Sequence, residues 1–312
     1  MRIGIVGAGI AGQACADVLV SQGHEVSLFD KGRGPGGRMS TRRVGTALGE
    51  ASFDHGAQYF TARDARFRKA VDGWKARGVV ARWPAAGGDA WVGVPTMNAV
   101  IRNMTQSRNV TFGNAVRSIE KDSGKWRFRF SEETSESFDV AVVAVPAEQA
   151  APLLSLHDLD LARRALRAWS KPCWTAMIAF EEPVAAERDV YRDLGILGWA
   201  ARNSAKPGRG GPESWVLQAN SRWSEEHLED DPEAVCRRLH DALGAELGTV
   251  LPAAVTMSAH RWRFAMAAGT GDEYLWSEDA RLAVCGDWLI APRVESAWLS
   301  GHLLGQKIGE RV

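Results

Sequence analysis

Met1-Arg-Ile-Gly-Ile-Val-Gly7-Ala-Gly9-Ile-Ala-Gly12 opens the chain, an apolar segment runs to Gln22, and His24-Glu-Val-Ser-Leu-Phe-Asp30 follows. Ile3 to Val6 is a short β-branched run, the pattern of a strand buried on both faces of a parallel sheet. Ile10, Ala14, Cys15, Val18 and Leu19 recur at helical spacing, and Gly23 falls where that helix should end. Glu25 to Phe29 reads as a second strand that ends on an acid. The unit is strand, turn, helix, strand, with three glycines at the turn.

Each glycine has a task there. Gly7 permits the tight turn, Gly9 lets backbone approach a pyrophosphate, and Gly12 lets helix and strand pack closely. The helix N-terminus, including Ala11, then offers free amides and the positive end of its dipole to phosphate. Asp30 lies 18 residues past Gly12, near the roughly 20 expected for a carboxylate that grips a ribose hydroxyl. This predicts a dinucleotide site but does not separate NAD from FAD. Lys31-Gly-Arg-Gly-Pro-Gly36-Gly37-Arg38-Met39-Ser40 is a second glycine-rich loop with cationic side chains. Such a loop is useful when a longer cofactor continues past its pyrophosphate.

Phe29 to Ser40, together with Phe53-Asp-His-Gly-Ala-Gln-Tyr-Phe60, resembles the flavin-dependent amine-oxidase superfamily, and more narrowly its renalase-like branch. Ala259-His-Arg-Trp262, Cys285-Gly-Asp-Trp288 and Arg293 to Gly301 extend the likeness, which covers both ends of the chain well and the middle poorly. The resemblance implies an α/β fold: a Rossmann-type, glutathione-reductase-like FAD-binding domain beside a mixed α+β substrate domain. The expected division gives 1–62, 96–152 and 262–312 to the first and 63–95 and 153–261 to the second. It implies non-covalent FAD with contacts at Lys31, Gly37, Arg38, Met39, Gln58, Tyr59 and Val116. Asp287, after a glycine at a strand end, suits ribityl or phosphate-side hydroxyls, and the helix near Val294 and Ala297 would aim its amides at the flavin. For Arg38 the alternative is a surface arginine capping a turn. For Gln58 and Tyr59 it is a buried turn with an aromatic core residue.

Lys plus Arg and Asp plus Glu both number 38, so nothing in the overall charge draws the chain to nucleic acid or an anionic membrane. A local cluster of Arg33, Arg38, Arg42 and Arg43 is expected to pair with cofactor phosphates. No secretory pattern precedes the first strand and no apolar run approaches the ~20 residues that span a bilayer, so a cytoplasmic setting is expected. Cys15, Cys173, Cys236 and Cys285 show no metal spacing and read as buried thiols in a reducing compartment, so no metal site is expected.

Asp64 to Arg77 and Glu233 to Leu247 read as amphipathic helices, and Thr96 as the cap of a helix through Met104. Val110–Phe112, Ala115–Ile119 and Lys125–Phe130 suggest an antiparallel meander. Phe138 to Val145 is a central apolar strand, Leu282 to Gly286 the last one, and Glu295 to Ile308 a closing helix. Lys206-Pro-Gly-Arg-Gly-Gly-Pro212 reads as an exposed turn.

Apart from Gly32-Arg-Gly-Pro-Gly-Gly37 within the second glycine loop, no further Gly-x-Gly-x-x-Gly occurs, and there is no Cys-x-x-x-x-Cys pair and no flavin-attaching Ser-Gly-Gly-Cys-Tyr segment. On the substrate side the candidates are His55, Arg261 and Trp262. The tryptophan would wall a flat substrate and the arginine would pair with its phosphate, although His55 also fits a structural role and Trp262 plain core. The renalase-like resemblance implies a small-molecule donor, a 2- or 6-dihydro isomer of NAD(P)H, whose hydride passes to flavin and then to O2. A flavin oxidase of small amines, or a flavoprotein without significant turnover, remains open. Oligomeric state is not legible.

Overall fold

A computed structural model describes residues 1–310. Its first sheet has six strands, in the order Leu275–Ser277, Leu282–Val284, Val140–Val143, Arg2–Val6, Glu25–Asp30 and Asn109–Phe112. All pairings are parallel except that of the Leu275–Ser277 edge strand. Arg2–Val6 sits inside it, in register with Val140–Val143 on one side and Glu25–Phe29 on the other. That position explains its unbroken apolar run, because parallel strands are covered on both faces.

The helix Ile10–Ser21 packs on this sheet, and the closing helix Val294–Glu310 packs on that helix. Their approach depends on missing side chains. A Cβ on Gly301 would collide with the carbonyl of Ala11, and one on Gly305 would lie 2.8 Å from Val18 Cβ and 2.9 Å from the carbonyl oxygen of Cys15. The start and end of the described chain thus form one layer.

The second sheet is antiparallel and has five strands, ordered Val190–Leu194, Leu197–Arg202, Glu213–Ala219, Ser170–Phe180 and Ala254–Ala267. The helix Pro232–Leu247, capped by the Asp231 carboxylate, buries Val235, Cys236, Leu239 and Leu243 in a core shared with Trp174, Ile178, Phe180 and Trp215. Most tryptophans of the middle region are therefore core. Trp169, 79% exposed, is not.

Several expectations need correction. Asn109–Phe112 does not join a meander; it adds in parallel to Glu25–Asp30. As an edge strand it leaves alternate residues outward, which imitates the pattern of an antiparallel ribbon. Only Ser118–Asp122 and Lys125–Arg129 form the hairpin, and Val116 stays outside it. The helix after Thr96 begins at Ala99 with Asn98 at its cap position, because the Thr96 hydroxyl donates to Asn98 Oδ1 at 2.8 Å instead. Ala254–Ala267 runs unbroken through the boundary drawn at 261/262 and pairs with Ser170–Phe180 on both sides of it. The Lys206–Pro212 segment is anchored inward, with the Lys206 and Arg209 side chains fully buried.

Candidate active site

The glycine turn is built as its spacing requires. Gly7 has φ +102°, in the region that favours glycine, and a Cβ there would strike the carbonyl of Ala144. A Cβ on Gly12 would strike the carbonyl of Gly7. Gly9 differs: its φ of −71° suits any residue, and a Cβ built on it meets nothing within 4 Å. Protein packing does not demand glycine at this position. The open space lies at the N-terminus of Ile10–Ser21, which no side chain caps, so first-turn amides of Ala11 and Gly12 remain available to an anion.

Across that space stands the second glycine loop. A methyl group built on Gly37 would lie 3.5 Å from Gly9 Cα, so the two loops face each other. Asp30 ends its strand with one carboxylate oxygen accepting from the Ala8 amide at 2.8 Å and the other from the Gly32 amide at 2.7 Å. It clasps both loops, and unused lone pairs remain for hydroxyl donors. These residues fit a dinucleotide with its pyrophosphate at Gly9.

Arg38 reaches across to the far end of the sheet. Its Nη1 donates to Asp287 Oδ2 at 2.9 Å and to the Ala265 carbonyl at 3.2 Å, and its Nη2 donates to Asp287 Oδ1 at 2.5 Å. Two residues expected to hold the cofactor therefore hold each other. Met39 is buried beside them. Lys31 turns to Gln149 at 3.1 Å. The arginine cluster is dispersed: Arg43 faces Glu50 at 3.5 Å, while Arg42 lies near His55 and His260. Val294 and Ala297 occupy the first turn of the closing helix, with Ala297 buried. Glu295 beside them was not foreseen as a contact; it accepts from the amides of Arg63 and Asp64 at 2.6 and 2.7 Å.

His55, His260 and Trp262 come together. The His55 ring stacks on Trp262 at 5.2 Å and meets His260 edge-on at 5.1 Å, and Trp262 Nε1 donates to the His55 carbonyl at 2.8 Å. His55 Nδ1 is buried with no partner. Burial pushes the His55 imidazole down to about 4, with His260 and Arg42 adding to the effect, and burial then Arg42 lower His260 too. Both rings are neutral near pH 7 beside the Arg42 cation.

Arg261 is not among them. It pairs with Glu229 at 2.7 Å, Arg263 pairs with the same carboxylate, and its guanidinium lies over Trp174. Successive strand residues point to opposite faces, so adjacency to Trp262 in sequence puts Arg261 on the other side.

Gln58 and Tyr59 continue the segment after His55. Tyr59 stacks on Trp199 at 5.4 Å and its hydroxyl accepts from Arg192 at 3.2 Å. Gln58 lies in a buried cluster that the sequence reading missed. Lys206 Nζ is 3.3 Å from Asp54 Oδ2 and 3.2 Å from Gln58 Oε1, and Arg209 pairs with the same Asp54 oxygen. Burial alone would raise the Asp54 carboxyl, but Lys206 and Arg209 hold it well below its usual range. Burial pushes Lys206 down to about 8, with Asp54 opposing.

Among the described residues no group of His, Cys, Asp and Glu could hold a metal, and no helix is long and apolar enough to cross a membrane. All four cysteines are buried.

Comparison with known proteins agrees with this fold. A model described as an NAD(P)-binding Rossmann-like domain matches residues 5–74, and one described as flavin containing amine oxidoreductase matches residues 82–305. A 4,4'-diapophytoene desaturase of Staphylococcus aureus is 50% identical over 40 residues, which is 13% of this chain and only 8% of that enzyme. Among solved structures, one assigned as a protoporphyrinogen oxidase from Exiguobacterium sp. 255-15 superposes with a TM-score of 0.77 at 12% identity, covering 100% of this chain and 99% of that one. Cyclohexylamine oxidase from Brevibacterium oxydans gives 0.71 at 12% identity, with 99% and 98% covered. At that identity the likeness speaks for the fold.

Proposed function

The chain belongs to the flavin-containing amine oxidoreductase family and is an FAD-dependent oxidoreductase; on that premise we propose that it is a renalase-like oxidase of dihydronicotinamide dinucleotides. Its donor is a 2- or 6-dihydro isomer of NAD(P)H. Donor, O2 and one proton give NAD(P)+ and H2O2. Bound FAD supplies the two-electron acceptance and the reaction with O2.

The residues of this chain bind and orient. The Gly9 turn and the N-terminus of Ile10–Ser21 receive the pyrophosphate, and Asp30 offers its free lone pairs to ribose hydroxyls. Arg38 and Asp287 stand where the cofactor continues, and the buried thiols leave FAD held without a covalent bond.

The observation that carries the donor assignment is the charge of the aromatic pocket. His55, His260 and Trp262 offer flat surfaces, both imidazoles are neutral near pH 7, Arg42 is the cation acting on both rings, and the Asp54 carboxylate that acts on His55 is already paired with Lys206 and Arg209. An alkylammonium would set a cation–π contact with Trp262 against repulsion from Arg42, whereas a planar ring carried on a dinucleotide pyrophosphate gains both stacking and attraction. No carboxylate is needed as base, since the donor gives up hydride alone.

Anaerobic mixing of the purified holoenzyme with each donor, followed by flavin absorbance, tests the reading. The dihydronicotinamide isomers should bleach the flavin fast and readmitted air should restore it. Rapid bleaching by a primary amine, with no response to any isomer, would overturn the donor assignment and leave the family membership standing.

A further inference from the structure

Two cations and one anion occupy the buried cluster at Asp54, yet Asp54 needs only one partner. Arg209 already supplies it, and also donates to the carbonyls of Gly93 and Pro207 at 2.6 and 2.7 Å. Lys206 is the surplus charge, with its side chain fully buried, 5.2 Å from the Trp83 ring centroid. A surplus buried cation is expensive, so a role beyond neutralising Asp54 is called for.

We propose that Lys206 is a positioning residue that, while it carries its proton, locks the Gln58 amide and with it the Asp54–Phe60 segment that presents His55 and Tyr59. The lock follows from donor counting. Gln58 Nε2 donates to the carbonyls of Asp54 and Gly56, at 2.5 and 3.1 Å. Gln58 Oε1 accepts from Lys206. An ammonium has three donors and no acceptor, so a flipped amide would set donor against donor. Only one orientation is allowed, and it fixes two carbonyls of the segment.

The rest of the segment is held from other sides. The His55 carbonyl accepts from Trp262 Nε1 at 2.8 Å, Gln218 Nε2 donates to the Gly56 carbonyl at 2.9 Å, and the Ala57 amide donates to the Arg38 carbonyl at 2.8 Å. Gln58 is the internal brace among these external ties. Once deprotonated, the Lys206 amine still donates to Gln58 Oε1, but the bond loses its charge assistance and the brace weakens, while the two carbonyls keep the amide unflipped. The charged groups that face Lys206 are Asp54, from the strand Gly49–Asp54, and Arg209, from its own loop. Asp54 titrates far below the relevant range, and burial places Lys206 itself near 8.

The inference rests on the FAD site and on no particular donor. Its test is hydrogen–deuterium exchange of the Asp54–Phe60 segment in the holoenzyme, corrected for intrinsic rates, with the visible spectrum of bound FAD followed from pH 6.5 to 9.5. Wild-type protein should lose about tenfold protection in this segment with a midpoint near pH 8, and the flavin spectrum should shift with it. Lys206→Met should show the loosened state at every pH, with no midpoint. Gln58→Leu, which keeps the lysine but cannot accept from it, should do the same and serves if the first variant does not fold. A midpoint that survives in either variant, or a wild-type segment equally protected at both ends of the range, overturns the proposal. Donor reduction is read separately, so an inert dihydronicotinamide with an intact midpoint would sink only the donor assignment.

Discussion

Replacing Arg38 with alanine removes a two-point ion pair with Asp287 and a bond to the Ala265 carbonyl. The Asp287 side chain is 7% exposed and that of Arg38 32% exposed, so the variant strands an almost buried carboxylate. Breaking a buried pair costs about 3–5 kcal/mol and a surface pair under about 1. With one partner a third open, we expect a loss of about 2 kcal/mol in flavin-free protein, from solvent screening on the arginine side. At roughly 2 °C per kcal/mol for a chain of this size, that lowers Tm by about 4 °C. Asp287→Asn removes the other half, and in a double-mutant cycle the two losses should overlap, with a coupling of about 1–2 kcal/mol. The assay is thermal unfolding of the flavin-free protein by circular dichroism, with FAD affinity by titration as the second readout. FAD binding to Arg38→Ala should weaken by about ten- to a hundredfold, the worth of charged hydrogen bonds. A flavin-free Tm within a degree of the parent, or strictly additive losses in the cycle, would refute the view that this pair joins the second glycine loop to the far end of the sheet.

Gly9→Ala should fold with parental stability yet bind FAD at least tenfold more weakly, whereas Gly12→Ala should lose about 1–3 kcal/mol of stability through collision with the Gly7 carbonyl; equal Tm losses for the two would contradict the assignment of the open space. His55 binds its proton less tightly folded (about 4) than unfolded (6.5), so its contribution is complete above pH 6.5 and lost as pH falls toward 4. That loss is on the order of 3 kcal/mol, and His55→Gln should flatten urea-denaturation stability across this window. Arg261→Ala should leave the apparent KM for the donor unchanged, because the side chain is engaged with Glu229 on the far face of its strand; a several-fold rise would return it to the site.

What could be read beforehand was local. The strand Arg2–Val6, the Gly7–Gly12 turn, Asp30 and the helix after it are each defined by neighbours within some thirty residues, and period and spacing disclose them. The Lys206 cluster was hidden because Asp54 and Lys206 lie 152 positions apart. A stretch rich in glycine and proline also carries no sign that two of its cations turn inward. Arg261 was misplaced for a simpler reason. Strand alternation separates it from Trp262 once the segment is known to be extended, and a residue pair considered without that geometry looks like a unit. Asp287 was legible as an acid after a glycine at a strand end, but its pairing with Arg38 was not, since the strand order alone brings the two together.

The contact of Gly301 and Gly305 with Ile10–Ser21 has a consequence for synthesis. The five strands of the second sheet lie together in residues 170–267 and can pair as soon as they have emerged. The FAD layer then still lacks the strands Leu275–Ser277 and Leu282–Val284 and the helix Val294–Glu310. A ribosome that has made most of the chain therefore carries a finished antiparallel sheet beside an unclosed cofactor layer, whose first helix waits for the last one. Flavin is therefore expected to be retained only after that helix has arrived, and not when the glycine turn is made.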